Sequence, residues 1–296
     1  MKQVASLRYG VVFKKAFCDP EIFTAFVRDI LDVEIEIDEV ETEKSFDPLV
    51  GYVATKYDLY AEDKKNRIIV DIQHERYPDH YHRFLHYHCT AILQQVGNSH
   101  NYRPKLKVFT VVVLTSGDRH KTDVSVIDFD PKDLAGNPLN EIDHKIIYIC
   151  PKYLNEQTPE RYQEWLRAIE DSLDEEIDES TYGHPQVRRI FDHIAKDLIT
   201  PEERARMFDE YNLELLKQEV SKKAHTAGHA AGHAAGHAAG HAAGHAAGRS
   251  EGELAGRKKA ARNLLMLGVL SVEQIAEATS LTADEVITLR DSATSA

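Results

Sequence analysis

Two aspartates and a glutamine in the first third of the chain have the residue types and spacing that metal-assisted hydrolysis requires. Asp58 lies in the run 55–62, whereas Asp71 and Gln73 lie in the run 67–73, and a short polar segment joins the two runs. The run 55–62 alternates apolar and polar residues, the run 67–73 is mostly apolar, and both patterns predict strands. The joining segment has an ordinary length for a β-hairpin, so the sequence predicts a hairpin that carries all three side chains.

The register of this hairpin decides whether the two aspartates meet. If the joining residues form a symmetric loop, Glu62 pairs with Arg67, and Asp58 then lies opposite Asp71 with Cβ atoms about 5 Å apart. Gln73 falls on the same face. Two carboxylates this close repel each other unless a cation lies between them, and a hard divalent ion such as Mg²⁺ is the usual cation for such a pair. The predicted chemistry is metal-assisted phosphodiester hydrolysis, with Mn²⁺ as a substitute ion.

Isolated aspartates on a solvated strand face are the ordinary alternative, and a D…DxQ pattern by itself fits both interpretations. The run 67–73 is nearly all apolar, which is typical of a strand covered on both faces, where an unpaired carboxylate is costly. Asp71 therefore favours the metal site.

The segment after the hairpin predicts a helix over 79–96 that ends at Gly97. Arg83 and Tyr87 are one helical turn apart and share a face of that helix. One interpretation is a solvated amphipathic helix. The other places Arg83 beside Asp71 or near the scissile phosphate, where a guanidinium makes bidentate contacts, with Tyr87 in the same hydrogen-bond network.

Together these residues resemble the Rpn family of recombination-promoting nucleases and transposases, within the PD-(D/E)XK nuclease superfamily. In that superfamily one strand of a hairpin carries Asp and the next carries (D/E)-x-K, and this family often has Gln in the last position. Asp58 matches the first motif and Asp71-Ile72-Gln73 matches the second. The opening segment 12–17 and the Arg83…Tyr87 spacing extend the resemblance over the N-terminal two-thirds of the chain.

The resemblance implies a fold, an activity and a set of site residues. The fold is α/β, with a restriction-endonuclease-like mixed sheet flanked by helices, and the activity is Mg²⁺-dependent endonucleolytic cleavage of DNA. Asp58, Asp71 and Gln73 are the implied catalytic residues, of which the two aspartates hold the metal ion. Arg83 and Tyr87 are expected to bind the substrate. The implied biological setting is recombination or transposition.

Three positions depart from the family pattern. Tyr57 replaces the proline before the first aspartate, Asp71 is shorter than the commoner glutamate, and Gly10 stands where an acidic residue is frequent. The chain also carries a formal net charge of −13. These features favour the alternative, a catalytically weak or inactive nuclease-fold protein that acts as a DNA-associated or protein-interaction module.

Composition limits the ways in which the chain can bind DNA and where it acts. The 296 residues include 49 acidic and 36 Lys or Arg residues, which counts against broad electrostatic binding of nucleic acid, so DNA binding must be local. The three cysteines are far apart in sequence, as in proteins of a reducing compartment, so we expect a cytoplasmic protein. There is no run of about 18 apolar residues, so no membrane partner is expected.

The chain divides into four predicted segments. Residues 1–155 form the nuclease-like α/β domain, 156–223 an α-helical extension, 224–248 a repeat linker and 249–296 a small helical module. The predicted strands of the first domain are 33–43, 55–62, 67–73, 106–114, 123–129 and 145–150. Helix starts are predicted at Asp19-Pro20-Glu21, Thr158-Pro159-Glu160 and Thr200-Pro201-Glu202-Glu203.

The linker repeats the tetrapeptide His-Ala-Ala-Gly, with histidines at 225, 229, 233, 237, 241 and 245. In a helix these histidines would form a slowly turning stripe, although each glycine costs about 1 kcal/mol relative to alanine. Three interpretations stay open: a low-complexity spacer, self-association through close glycine contacts, and binding of Zn²⁺, Ni²⁺ or Cu²⁺ by paired imidazoles.

The C-terminal module contains two capping boxes, Ser271…Gln274 and Thr282…Glu285, which predict two short helices in a helix-turn-helix arrangement. Its predicted core is Leu270, Ile275, Ala278, Leu281, Val286 and Leu289. The second helix begins with acidic residues, which disfavours DNA recognition. We therefore expect protein contacts, and a homo-oligomer formed through the C-terminal helical region.

Overall fold

The computed structural model describes residues 1–47, 53–74, 79–96 and 100–294. The chain forms two compact units, Met1–Leu215 and Leu216–Ala296. The predicted boundary near residue 155 falls inside the first unit, whose later helices pack on the same core as its sheet. Within the described ranges, no helix combines the length and apolar character needed to cross a membrane.

The first unit is built on a mixed six-stranded sheet. The strands of the chain are β1 (Lys2–Gln3), β2 (Glu41–Phe46), β3 (Thr55–Glu62), β4 (Asn66–Gln73), β5 (Lys107–Leu114), β6 (Val124–Asp128), β7 (Lys145–Ile149) and β8 (Glu176–Ile177). The main sheet has the order β2-β3-β4-β5-β7-β6, and β1 pairs with β8 separately. The central strands β4, β5 and β7 are parallel to one another, and the outer pairs are antiparallel.

Helices cover both faces of this sheet. They are α1 (Gly10–Phe17), α2 (Pro20–Leu31), α3 (His80–Leu93), α4 (Glu160–Asp171), α5 (Pro185–His193) and the start of α6 (Pro201–Leu267). One face packs with α1, α2, α4 and α5 around a large aliphatic and aromatic core. The other face packs under α3, where four tyrosines and a phenylalanine pack with aliphatic side chains. The α/β class predicted from the sequence is therefore confirmed.

Most predicted elements agree with the structure. The hairpin strands β3 and β4 and the three later strands occur at their predicted positions to within one residue at each end. Asp19 caps α2, since its side chain accepts hydrogen bonds from the backbone N–H groups of Glu21 and Ile22. The predicted end of α3 at Gly97 lies outside the described residues.

The predicted strand over 33–43 has the wrong bounds. The strand in this region is β2, and residues 33–40 have no regular structure. Ile35 and Val40 are nevertheless buried against the core. The alternating apolar residues of 33–40 pack on the core, but the segment has no partner strand among the described residues and so forms no strand itself.

The second unit contains the rest of α6, followed by α7 (Val272–Thr279) and α8 (Ala283–Thr294). Both predicted capping boxes are confirmed: Ser271 pairs with Gln274, and Thr282 pairs with Glu285. The core of the module is Ala261, Ile275, Leu281, Val286 and Leu289. Two predicted core residues are wrong, because Leu270 is 40% exposed and Ala278 is also exposed. The end of α6 occupies their expected place in the core through Ala261.

Candidate active site

The turn between β3 and β4 fixes the register of the hairpin. Asp63 Oδ1 accepts hydrogen bonds from the backbone N–H groups of Lys65 (2.7 Å) and Asn66 (2.6 Å), which tightens the loop. Glu62 pairs with Arg67, and the pairing continues in the predicted register as far as Leu59 with Val70. The next pair in that register is Asp58 and Asp71.

At this pair, side chains replace backbone carbonyls as acceptors across the hairpin. The backbone N–H of Asp58 donates to Asp71 Oδ1 (3.2 Å), and the backbone N–H of Ile72 donates to Asp58 Oδ2 (3.0 Å). Each carboxylate thus spans to the opposite strand through one oxygen. Asp71 Oδ2 and Asp58 Oδ1 remain outside this arrangement, so the hairpin presents one further oxygen from each aspartate.

The strand β3 departs from regular alternation at Asp58. Tyr57 packs in the core under α3, while Leu59 packs in the core on the other face of the sheet. Residues two apart in a regular strand would face the same side. On the neighbouring strand β2, Glu43 has a positive φ of 57°. The irregular backbone coincides with the position of the acid pair.

Asp71 is more deeply buried than Asp58. Asp71 is only 4% exposed, and its Oδ2 has no hydrogen-bond partner among the described residues. Burial, and then the neighbouring Asp58, raise the pKa of Asp71 well above its usual range. Burial also raises the pKa of Asp58, against the opposing effects of the Ile72 N–H and of Lys14. In both carboxyl groups the cost of burial outweighs the stabilising effects of neighbouring hydrogen bonds and positive charges.

A lysine that was not among the predicted site residues places a positive charge beside the acid pair. Lys14 lies on α1, with Nζ 3.8 Å from Asp58 Oδ1 and 2.8 Å from Glu43 Oε1. Hydrogen bonds from Lys14 and Lys56 lower the pKa of Glu43 to about 2. Lys14 thus places an ammonium group beside one of the two oxygens that a cation would contact.

Gln73 follows Asp71 on β4 and contacts the predicted arginine. Arg83 Nη1 donates to Gln73 Oε1 (3.1 Å), and Arg83 Nη2 lies 3.5 Å from the hydroxyl of Tyr87. Arg83 is exposed, whereas Tyr87 is 9% exposed and its ring packs edge-on against Tyr57. The structure therefore brings Arg83 to the site through Gln73, and Tyr87 lies behind it in the core rather than on a solvated face.

Glu210 brings a third carboxylate towards this region from α6. Its oxygens accept from the backbone N–H groups of Gly10 (2.9 Å) and Val11 (3.4 Å), at the N-terminus of α1. A Cβ added at Gly10 would lie 3.7 Å from Glu210 Oε1. Desolvation raises the pKa of Glu210, and the charge of Asp58 adds to this rise. No local motif could have indicated a residue so distant in sequence; the only signal was the absence of a side chain at Gly10.

The donor set fits a hard divalent ion in part. Asp71 Oδ2 is a buried carboxylate oxygen without a hydrogen-bond partner in the described structure, and the Lys14 ammonium already lies beside Asp58. Carboxylate oxygens are the ligands that Mg²⁺ prefers, and Mg²⁺ is commonly held by only one or two of them with water. Across the described ranges, no group of three or more His, Cys, Asp or Glu side chains is arranged to hold a metal ion. The candidate is thus a two-carboxylate site.

Comparison with known sequences adds no further assignment. Neither a protein-family model nor a curated protein matches this chain.

Proposed function

We propose that this protein is a Mg²⁺-dependent DNA endonuclease with a restriction-endonuclease-like fold, related to the Rpn family of recombination-promoting nucleases. The observation that carries the proposal is the convergence of Asp58 and Asp71 across the hairpin, with Asp71 Oδ2 buried and without a hydrogen-bond partner in the described structure. A buried acid of this kind is costly to fold and is typical of functional sites. The mixed sheet with helices on both faces is compatible with this fold family.

In this proposal Asp58 and Asp71 hold the Mg²⁺ ion. When bound, the ion would polarise the scissile phosphate and lower the pKa of a coordinated water. Gln73 would orient the attacking water or the phosphate through its amide, while Arg83, which donates to Gln73, would contact a phosphate oxygen. An amide cannot accept the proton of the water. That proton would pass to the phosphate, to solvent or to another carboxylate, so we expect slow turnover.

The phosphate would need positive charge that the chain as a whole lacks. Lys14 and Arg83 lie on opposite sides of the hairpin end, one on α1 and the other on α3. Their positions support local DNA contact despite the net charge of −13. Homo-oligomer formation through the C-terminal helical region is part of the proposal, because paired active sites are one way to cut both strands.

Plasmid cleavage in Mg²⁺, compared with EDTA, tests the proposed activity. Asp58→Asn and Asp71→Asn should each abolish cleavage, because each removes one charged metal ligand while keeping the side-chain shape. Asp128→Asn is the matched control: it is also a strand aspartate but lies on β6, paired with Lys145, and it should cut like the wild type. Equal cleavage by wild type and Asp58→Asn would overturn the assignment.

A catalytically weak or inactive nuclease-fold protein is the second candidate. Two observations favour it. The described residues offer two carboxylates rather than a group of three, and Gly10 at the start of α1 stands where the family often has an acidic residue. Calorimetry with Mn²⁺ separates the two: binding that Asp71→Asn abolishes, together with cleavage, supports the nuclease. Binding of Mn²⁺ and DNA without cleavage at any pH would instead support the interaction module.

A further inference from the structure

The histidine repeat lies within one continuous helix, α6, that runs from Pro201 to Leu267. All six repeat histidines are exposed. Their spacing of four residues places consecutive imidazoles one turn apart, about 6 Å along the axis and rotated by about 40°. The ring centroids of His241 and His245 are 4.4 Å apart, and those of His237 and His241 are 6.4 Å apart. Consecutive imidazoles are thus close enough to share a ligand.

Packing does not account for the helical state of this segment. Ala261 is the one buried residue of α6 in the described structure. The glycines at 228, 232, 236, 240, 244, 248, 252 and 256 have no atoms within 4 Å of an added Cβ. Each glycine costs the helix about 1 kcal/mol relative to alanine. An isolated helix of this composition is marginal in water, so an added interaction is needed to hold it.

We propose that residues 225–245 form a binding site for borderline divalent transition-metal ions, of the class of Zn²⁺, Ni²⁺ and Cu²⁺. Neutral imidazole is a preferred ligand of these ions, whereas Mg²⁺ prefers oxygen. Each ion is held between the imidazoles of two consecutive repeats, and water fills its other positions. This site is separate from the acid pair in its residues, its compact unit and the metal it selects.

Helix geometry limits each site to one pair. The histidine two repeats away lies about 12 Å along the axis and about 80° around it, which is beyond a metal–imidazole bond of about 2 Å. Six histidines therefore provide up to three independent pairs, namely 225 with 229, 233 with 237, and 241 with 245. A metal that bridges adjacent turns binds the helix and not the extended chain, so binding stabilises the helix.

Two triple variants with identical composition test the pairwise geometry. The adjacent variant, His225→Gln, His229→Gln and His233→Gln, keeps His237, His241 and His245 one turn apart. The alternate variant, His229→Gln, His237→Gln and His245→Gln, keeps His225, His233 and His241 two turns apart. Both are made in the full-length chain with Asp71→Asn, so that the acid pair does not contribute. Calorimetry with Ni²⁺ and with Zn²⁺ at pH 7.5 measures affinity, and far-UV circular dichroism measures helix content.

We expect about three Ni²⁺ ions per chain for the unaltered repeat and about one for the adjacent variant. The alternate variant should bind Ni²⁺ at least about tenfold more weakly than the adjacent variant. Helix content should rise on binding in the unaltered repeat and in the adjacent variant, but not in the alternate variant. Mg²⁺ should cause no change, because it prefers oxygen ligands. Equal affinity in the two triple variants, or no gain of helix content in the unaltered repeat, would overturn the proposal. The result does not depend on DNA cleavage, so the two proposals can fail independently.

Discussion

At the residue scale, side-chain hydrogen bonds of the acid pair replace backbone hydrogen bonds between the two strands of the hairpin. Asp58 and Asp71 each satisfy a backbone N–H of the opposite strand, a role that a carbonyl normally has. This keeps the hairpin closed while the second oxygen of Asp71 stays buried without a hydrogen-bond partner in the described structure. The pair therefore lowers the stability of the fold unless a cation compensates it.

Asp71→Asn should stabilise the protein in EDTA by an amount that grows with pH. Because the pKa of Asp71 is raised in the folded state, the folded chain holds its proton more tightly than the unfolded chain. The carboxyl group therefore contributes full stability below the unfolded pKa, about 4, and loses it as pH rises. Thermal melts from pH 4 to pH 8 should show a difference in melting temperature between Asp71→Asn and the wild type that widens as the pH rises.

Two controls accompany these melts. Asp128→Asn, at an exposed strand position, controls for the general effect of replacing a strand aspartate and should change the melting temperature little. Saturating Mn²⁺ should raise the melting temperature of the wild type, because the ion binds the carboxylates only in the folded state. The difference in melting temperature between the wild type and Asp71→Asn should then become smaller. A difference in EDTA that stays constant or reverses with pH would contradict the burial of an uncompensated acid.

Arg83 and Tyr87 should contribute unequally to catalysis. Arg83 is exposed and donates to Gln73, so Arg83→Ala should reduce DNA cleavage by about 10²-fold, the usual loss for a donor to a developing anion. The Tyr87 hydroxyl is 3.5 Å from Arg83, a long hydrogen bond, and its ring is buried. Tyr87→Phe should change cleavage by less than about threefold. A larger loss for Tyr87→Phe than for Arg83→Ala in initial cleavage rates would show that the roles are reversed.

The sequence predicts the pair but not its surroundings. The hairpin register follows from the loop length and from apolar alternation, both of which are local, and Leu59 to Glu62 pair as those signals predict. Lys14 and Glu210 could not be found in this way, because α1 and α6 bring them to the region through tertiary packing. Charge compensation is decided by such distant partners, and alternation carries no information about them.

At the element scale, prediction succeeds where a strand or helix end is defined by local chemistry. The capping boxes at Ser271 and Thr282 place helix starts correctly, since a side chain bonds the third backbone N–H of its own helix. The strand expected over 33–43 fails, because a strand also needs a partner, and its apolar residues pack on the core instead. Leu270 fails for a similar reason: Ala261, from the preceding helix, fills the core of the module.

Two glycine-to-alanine variants should have opposite effects on stability. Gly236 lies in the repeat helix with open space around it, so Gly236→Ala should raise helix content and stabilise that segment by about 1 kcal/mol. Gly117 has a φ of 80°, and an added Cβ would lie 2.7 Å from the Tyr153 ring. Gly117→Ala should lower the melting temperature of the first unit through backbone strain and steric overlap.

Far-UV circular dichroism and thermal melts check both glycine variants. Replacing Gly232, Gly236 and Gly240 together should give about three times the gain in helix stability, because an added Cβ at each site lies in open space and the three replacements share no contacts. A loss of helix content in the triple variant would indicate that the glycines provide a close contact with another helix. That outcome would favour self-association of the repeat over an ordinary exposed helix.

At the scale of the whole molecule, local and bulk charge should have opposite effects on the proposed binding of DNA. A net charge of −13 repels the phosphate backbone at long range. Lys14 and Arg83 nevertheless lie beside the acid pair, within the distance at which salt screens little, since the Debye length is about 8 Å at physiological ionic strength. DNA affinity should then depend on a few local cations and change little with distant ones.

Lys14→Gln and Lys223→Gln test this distinction, because each removes one positive charge. Lys14 lies beside Asp58, while Lys223 lies on an exposed part of α6 in the second unit and pairs with Glu219. Fluorescence anisotropy with labelled duplex DNA in saturating Ca²⁺, which compensates the acid pair without supporting cleavage, measures affinity across a range of salt concentrations. Lys14→Gln should weaken binding by at least about tenfold and reduce the slope of log affinity against log salt by about 1. Lys223→Gln should stay within about twofold of the wild type, because Lys223 is paired with Glu219 and belongs to the other compact unit. Equal weakening by the two variants would mean that bulk charge controls binding and that DNA does not approach the hairpin.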